Sequence, residues 1–352
     1  MKVAIVLGTR PEIIKNYAIV NALREAGMPF VVLSTNQHGD AAMSRNVFSQ
    51  MGYEPHAVMG QPYRLGTAID WIQDQIRNES VDLILVNGDT AAALAGALAA
   101  VYSDIGLAHV EAGLRSFDAR MYEERNRVMV DSASHYLFTY TQAHADYLAQ
   151  ARDYRGRIIL VGNTTVDVIE EFAHLLQSRR SGRYAYVTLH RKELTDHAES
   201  LAEVLETLND LALDFDSMVL PMHPRTRNAM MRHGLPLSIL SRIDVIDPIL
   251  PFDSLALIRH ATVVVTDSGT IQEEAHIFGT PCVTVRANTE RPETLVGGGN
   301  VVCGLAAASI TEAIRSQYAN GRRATTSTYG PAGAGRRIVA ALNTHFKNWL
   351  RY

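Results

Sequence analysis

Val3-Ala4-Ile5-Val6-Leu7-Gly8-Thr9-Arg10-Pro11-Glu12 is the stretch that decides the fold. An unbroken apolar run ends in Gly-Thr-Arg-Pro, and a helical pattern follows over Pro11–Glu25. Apolar runs without alternation mark parallel strands covered on both faces. Gly8 permits a tight turn, and Pro11 suits the first helical turn, where its missing N–H costs nothing. The unit reads as strand, turn, helix.

Outward from it the same unit recurs along the chain. Further strands are expected at Phe30–Ser34, Leu83–Asn87, Leu107–Glu111, Tyr136–Tyr140 and Ile158–Val161, then at Tyr184–Leu189, Met218–Pro221, Asp244–Ile246, Thr262–Thr266, Cys282–Val285 and Val301–Cys303. Helical patterns lie between them, among them Ala91–Tyr102, Val166–Leu176, Glu199–Leu213 and Ile271–Phe278. Such alternation implies right-handed βαβ units and a doubly wound α/β fold. The charged, apolar-poor stretch Gln177–Arg183 reads as a linker between two Rossmann-like halves, residues 1–176 and 183–335. Residues 325–335 read as a loop, and the last helix, over residues 336–352, as an element free to return to either half. Ligands of such domains bind at the carboxyl ends of the strands, so a cleft is expected there.

Composition narrows the class of function. The chain has 352 residues, 47% of them apolar and 20% charged, which excludes a disordered chain. At about 150 residues per domain this length suggests two domains. A balance of 33 Lys and Arg against 37 Asp and Glu gives a net charge of −4, without the bulk basicity of a nucleic-acid binder. Cys282 and Cys303 are too few for a disulfide framework or a four-cysteine zinc site, and both read as reduced core residues. No His/Cys spacing suggests a metal. No apolar stretch approaches the ~20 residues that cross a bilayer, and the first apolar run is too short for a signal peptide. A cytoplasmic protein is expected.

Chemistry-bearing residues cluster at the expected strand ends. Arg10 and Lys15 follow the first strand near a helix N-terminus, as in a phosphate site or an ordinary βα turn. Asp89, in Asn87-Gly88-Asp89-Thr90, is either a carboxylate facing the crevice or a helix N-cap. His109-Val110-Glu111-Ala112-Gly113-Leu114-Arg115 adds Glu111 to the same rim. Glu123-Glu124-Arg125-Asn126-Arg127 is either a solvated helix face or a third acidic contribution. Carboxylates gathered at one crevice repel one another unless cations, protons or chemistry justify them. His190-Arg191 and His223-Pro224 form cationic loops in the second half, where structural histidines are equally admissible. In Thr266-Asp267-Ser268-Gly269-Thr270-Ile271-Gln272-Glu273-Glu274-Ala275 an apolar strand runs into Ser-Gly and a helix, either a simple cap or a diphosphate cradle. Glu274, one turn on, suits a ribose diol, and Arg291 adds a cation in a rigid turn.

Taken together, these blocks, with Gly162-Asn163-Thr164 and Thr289–Glu293, resemble the non-hydrolysing UDP-N-acetylglucosamine 2-epimerase family, in its order and over nearly the whole chain. The resemblance implies a glycosyltransferase-B-type architecture, a homodimer, and conversion of UDP-GlcNAc to UDP-ManNAc without a redox cofactor. Its route is elimination of UDP to a 2-acetamidoglucal and readdition. It implies Asp89, Glu111, Glu123 and His190 as catalytic residues. It places Arg10, Lys15, Arg127, His223, Ser268, Gly269, Thr270, Glu274 and Arg291 in substrate or UDP binding. The same residues admit a hydrolysing epimerase that releases free ManNAc, an epimerase of a modified nucleotide sugar, or a glycosyltransferase on the same fold.

The chain departs from the family pattern at four points. Tyr122 stands for a Pro before the paired glutamates, Thr270 for a Gly after Ser268-Gly269, and Pro251 and Ser254 for aromatic residues near the base. These changes bear on base and sugar preference. In addition, Gln37-His38 is followed by Met43, two residues later than in the segment with which bacterial members bind an activating second substrate, so weakened allostery is expected.

Overall fold

The computed structural model describes residues 1–37, 41–151, 154–178, 180–323 and 328–349. His38, part of the expected activator segment, lies outside them. The chain divides into two compact units, Met1–Glu171 with Ser327–Tyr352, and Phe172–Thr326.

The first unit runs β1 (Val3–Leu7), α1 (Arg10–Glu25), β2 (Phe30–Ser34), α2 (Ala41–Met51), β3 (Ala57–Val58), α3 (Leu65–Asn78), β4 (Leu83–Asn87), α4 (Ala91–Tyr102), β5 (Gly106–Val110), α5 (Tyr122–Ala133), β6 (Tyr136–Thr139), α6 (Gln142–Gln150), β7 (Arg157–Leu160) and α7 (Thr164–Glu171). Its seven strands form one parallel sheet in the order β3-β2-β1-β4-β5-β6-β7. β1, β4 and β5 are buried throughout, as their unbroken apolar sequences require. The alanines of α4 let it approach the sheet closely, and Ala92, Ala93, Ala95, Ala97, Ala99 and Ala100 are all buried there. Strand order reverses between β1 and β4, and at such a point the turns at the carboxyl ends diverge and leave a crevice.

The second unit runs β8 (Tyr184–Thr188), α8 (Lys192–Thr195), α9 (Ala198–Leu211), β9 (Ser217–Pro221), α10 (Pro224–Arg232), β10 (Asp244–Ile246), α11 (Pro251–His260), β11 (Val263–Thr266), α12 (Gly269–Phe278), β12 (Cys282–Thr284), β13 (Asn300–Val302) and α13 (Ala307–Asn320). Six parallel strands stand in the order β10-β9-β8-β11-β12-β13. The reversal lies between β8 and β11. Its core gathers Val187, Leu205, Leu220, Val265, Val283 and Ile314 from both layers.

The unit boundaries differ from the sequence-based ones. Residues 172–176, expected in the first half, join the second: Phe172 packs on Phe252 at 4.4 Å, and Arg259 and His260 hydrogen-bond to the carbonyls of Ala173 and Leu176. The loop before the last helix, expected in the second half, joins the first. There Tyr329 accepts from Asn163 N at 3.3 Å, and Asp167 accepts from the N–H groups of Gly333, Ala334 and Gly335. The helix itself, α14 (Ala334–Trp349), packs on α1 and α7, with Arg336 bridging to Glu25. β3 was not expected; a two-residue edge strand carries too little pattern to read.

Candidate functional site

The turns after β1 and β4 meet at the first unit's reversal point. Glu12 reaches back to accept from Gly8 N at 3.0 Å and Thr9 N at 2.8 Å, and its other oxygen accepts from the Thr90 hydroxyl at 2.8 Å. Burial pushes its carboxyl up to about 7, against the opposing pull of these donors. This ties the Arg10 turn to the Asp89 turn. Thr90, not Asp89, caps α4, accepting from Ala93 N at 3.0 Å. The Asp89 carboxylate instead pairs with Arg127.

Arg127 comes from α5 and is completely buried. Besides Asp89, its guanidinium lies 3.6 Å from Glu111 Oε1 and 3.6 Å from Glu124 Oε2. Glu111, also buried, accepts from Lys15 Nζ at 2.7 Å and from the Tyr140 hydroxyl at 3.4 Å. Asp89, Glu111, Lys15 and Arg127 thus form one cluster in which two cations offset the repulsion of two carboxylates. Lys15 and Arg127, expected among the substrate-binding groups, have their charges engaged by these carboxylates. Arg10 stands half-buried at the first position of α1, and Glu123 half-buried in the first turn of α5. Glu124 turns inward, accepting from Ser116 N at 2.8 Å and Phe117 N at 3.3 Å. The acidic run is therefore no uniform solvated face.

A second cluster stands at the reversal point of the other unit. Asp267, fully buried after β11, accepts from the N–H groups of His190 at 2.8 Å and Arg191 at 2.7 Å, and its Oδ1 lies 3.6 Å from His190 Nδ1. Burial raises the Asp267 carboxyl above its ordinary range, with those donors opposing. His190 stacks on His223 at 4.8 Å, and His223 caps α10 through Arg225 N at 3.1 Å. Glu290 holds Arg286 at 2.7 Å and Arg191 at 3.4 Å, while Arg291 pairs with Glu273. A side chain at Gly269 would bring its Cβ to 2.5 Å from Glu290 Oε1. Ser268 is the N-cap of α12, Thr270 is half-buried in its first turn, and Glu274 is buried one turn on. Arg191, Arg286 and Arg291 therefore gather around the start of a helix whose first N–H groups and dipole favour an anion.

The family profile of UDP-N-acetylglucosamine 2-epimerase matches residues 21–343. The chain belongs to this family. It is 34% identical to the UDP-N-acetylglucosamine 2-epimerase of Methanocaldococcus jannaschii, over 97% of this chain and 99% of that one. A crystal structure of that archaeal epimerase in complex with UDP-GlcNAc and UDP covers 98% of this chain and 100% of its own, with a TM-score of 0.88. The chain is also 36% identical to the UDP-2,3-diacetamido-2,3-dideoxy-D-glucuronate 2-epimerase of Pseudomonas aeruginosa, over 97% of this chain and 99% of that one. The UDP-GlcNAc 2-epimerase of Neisseria meningitidis bound to UDP-GlcNAc is 27% identical with a TM-score of 0.85, covering 98% of this chain and 100% of its own. The architecture is α/β, two Rossmann-like sheets of the glycosyltransferase-B type shared by these epimerases.

Several buried groups of the two clusters went unread in the sequence. Glu12 is recoverable from Thr9-Arg10-Pro11-Glu12, a capping-box spacing before an apolar helix. His109 and Asp131, a buried pair behind the first cluster, carry no local signal, because each finds its partner on another element.

Proposed function

We propose that this chain inverts C2 of a UDP-N-acetylhexosamine, interconverting UDP-GlcNAc and UDP-ManNAc. The observation that carries this reading is the charge-balanced pair Asp89 and Glu111, held with Lys15 and Arg127 at the reversal point of a sheet. C2 of the sugar bears a weakly acidic hydrogen, and inversion needs proton transfer at two opposite faces. In the elimination a base takes the C2 proton, the C1–O bond breaks with its electron pair leaving on UDP, and a 2-acetamidoglucal forms. In the return step a UDP oxygen re-forms the bond at C1 and a proton is delivered to the other face of C2. Asp89, Glu111 and Glu123 form the proton-transfer set, with His190 beside the diphosphate.

UDP must be stabilised as it leaves and kept for readdition. The start of α12 with Arg291 and Arg10 supplies that field, and Glu274 takes the ribose diol. His223, Ser268, Gly269 and Thr270 line the UDP side, and Lys15 and Arg127 act through the carboxylates they hold. No cofactor takes part. We place the enzyme in the cytoplasm as a homodimer, an assembly that sedimentation velocity reads directly.

Incubation with UDP-GlcNAc in D₂O, followed by NMR at C2, tests the reading. Deuterium in both nucleotide-linked epimers is expected; free ManNAc with UDP would instead indicate hydrolysis. UDP-2,3-diacetamido-2,3-dideoxy-glucuronate is the second substrate to assay, given the Pseudomonas relative at 36% identity. Asp89→Asn or Glu111→Gln should lower turnover by about 10²–10⁴ while UDP binding survives. Collapse of UDP affinity would make these residues structural. Arg10→Ala should weaken UDP itself by about 1.5–3 kcal/mol, as for a hydrogen bond to a charged group; calorimetry showing unchanged affinity would place Arg10 outside the site.

A further inference from the structure

Behind Asp89 runs a chain of buried polar groups from the Gly88 carbonyl through His109 and Asp131 to Arg115. His109, fully buried in β5, sets Nε2 2.9 Å from Gly88 O and Nδ1 2.6 Å from Asp131 Oδ1. A carbonyl oxygen only accepts, so Nε2 carries a proton. Asp131 Oδ2 accepts from Arg115 Nη2 at 2.6 Å and from Gly113 N at 3.2 Å. Burial alone would raise the Asp131 carboxyl, but His109 and Arg115 outweigh it and hold the group below its ordinary value. Asp131 Oδ1 holds the ring from its other nitrogen, Nδ1.

The consequence falls on the turn that carries Asp89. Gly88 is fastened to β5 from both sides, its N–H donating to Val110 O at 3.0 Å and its carbonyl accepting from His109. It sits at φ +82°, a conformation that side-chain-bearing residues avoid. On the facing strand Glu111 follows Val110 at φ +77°, also in the left-handed region. Such a backbone at a side-chain-bearing residue persists only where its surroundings over-determine it.

We propose that His109 is a positioning residue for the epimerisation: its Nε2–H holds the Gly88 carbonyl and thereby sets the Asp89 carboxylate against Glu111, while Asp131 and Arg115 fix the ring. The kinetic part of this inference rests on Asp89 being a proton-transfer group; the hydrogen-bond part does not.

Two substitutions separate the two ends of the ring. The His109→Asn amide reaches the place of Nδ1, toward Asp131, and abandons Gly88. The His109→Gln amide nitrogen falls near Nε2 and keeps the Gly88 contact. In His109→Asn, kcat should fall about 10- to 100-fold, with KM and the UDP Kd within about twofold of wild type, and His109→Gln should recover most of the loss. Equal losses in both variants, or UDP affinity falling in step with kcat, would overturn the proposal. Imidazole NMR of the ¹⁵N-histidine-labelled wild-type protein needs neither a folded variant nor activity. One buried ring with a slowly exchanging Nε2–H is expected, and a buried ring with Nε2 bare refutes the clamp. Absence of C2 exchange in the wild type would instead sink the epimerase reading, and the NMR result would still decide the hydrogen bond.

Discussion

Glu12 is a carboxyl whose burial makes the fold sensitive to pH. In the unfolded chain it titrates near 4.5, and burial raises it to about 7 in the fold. Between these values the folded protein keeps a proton that the unfolded chain has released. Its stabilising contribution is therefore full below the unfolded value and is lost as pH rises through the folded one. At 1.36 kcal/mol per unit the swing is about 3 kcal/mol. Glu12→Gln imitates the protonated form, accepting from Gly8 and Thr9 and donating to Thr90. Denaturant titrations at several pH values should show wild type losing stability relative to Glu12→Gln between about pH 4.5 and 7; parallel curves would mean that Glu12 titrates normally. Identities in the candidate site were legible where residue types cluster at strand ends, as with Asp89 and Glu111. What was hidden is commitment: Arg127 and Glu124 look solvated in sequence and are buried because their partners arrive from β4, β5 and a loop.

At the scale of elements, α14 shows what a close approach demands. A Cβ on Gly335 would overlap the Ala18 carbonyl of α1, so the two helices meet there only because the residue is glycine. Gly335→Ala should force them apart and destabilise the protein by about 1–3 kcal/mol, as overpacking does. An unshifted denaturation midpoint would show that the contact yields freely. Strands and long helices were legible because unbroken Val, Ile and Leu runs and a clear helical period specify them locally. Several ends drifted by a residue or two, as at β5 and β13, whereas α4, opened by the Thr90 cap, has the bounds its sequence predicts. The helix expected over 166–176 stops at Glu171, and a single 3₁₀ turn over Ala173–Leu175 follows it.

The whole molecule is two parallel sheets, each with its reversal point marked by the residues that the motifs singled out. The division into two followed from length and from strand–helix alternation; the exact boundaries did not, because they depend on what Phe172 and Asp167 touch. Trp71 belongs to the first unit and reports on it alone once residues 334–352 are deleted. That deletion should lower the fluorescence-detected unfolding midpoint and leave a second, unchanged transition in circular dichroism. A fluorescence midpoint equal to that of the full chain would show that α14 is dispensable. One consequence concerns synthesis. Nascent proteins usually complete their domains in the order of translation, yet here the helix that covers α1 and α7 is translated after every residue of Phe172–Thr326. The first unit therefore still lacks its last layer when all of the second has been translated, and the earlier-translated half matures last.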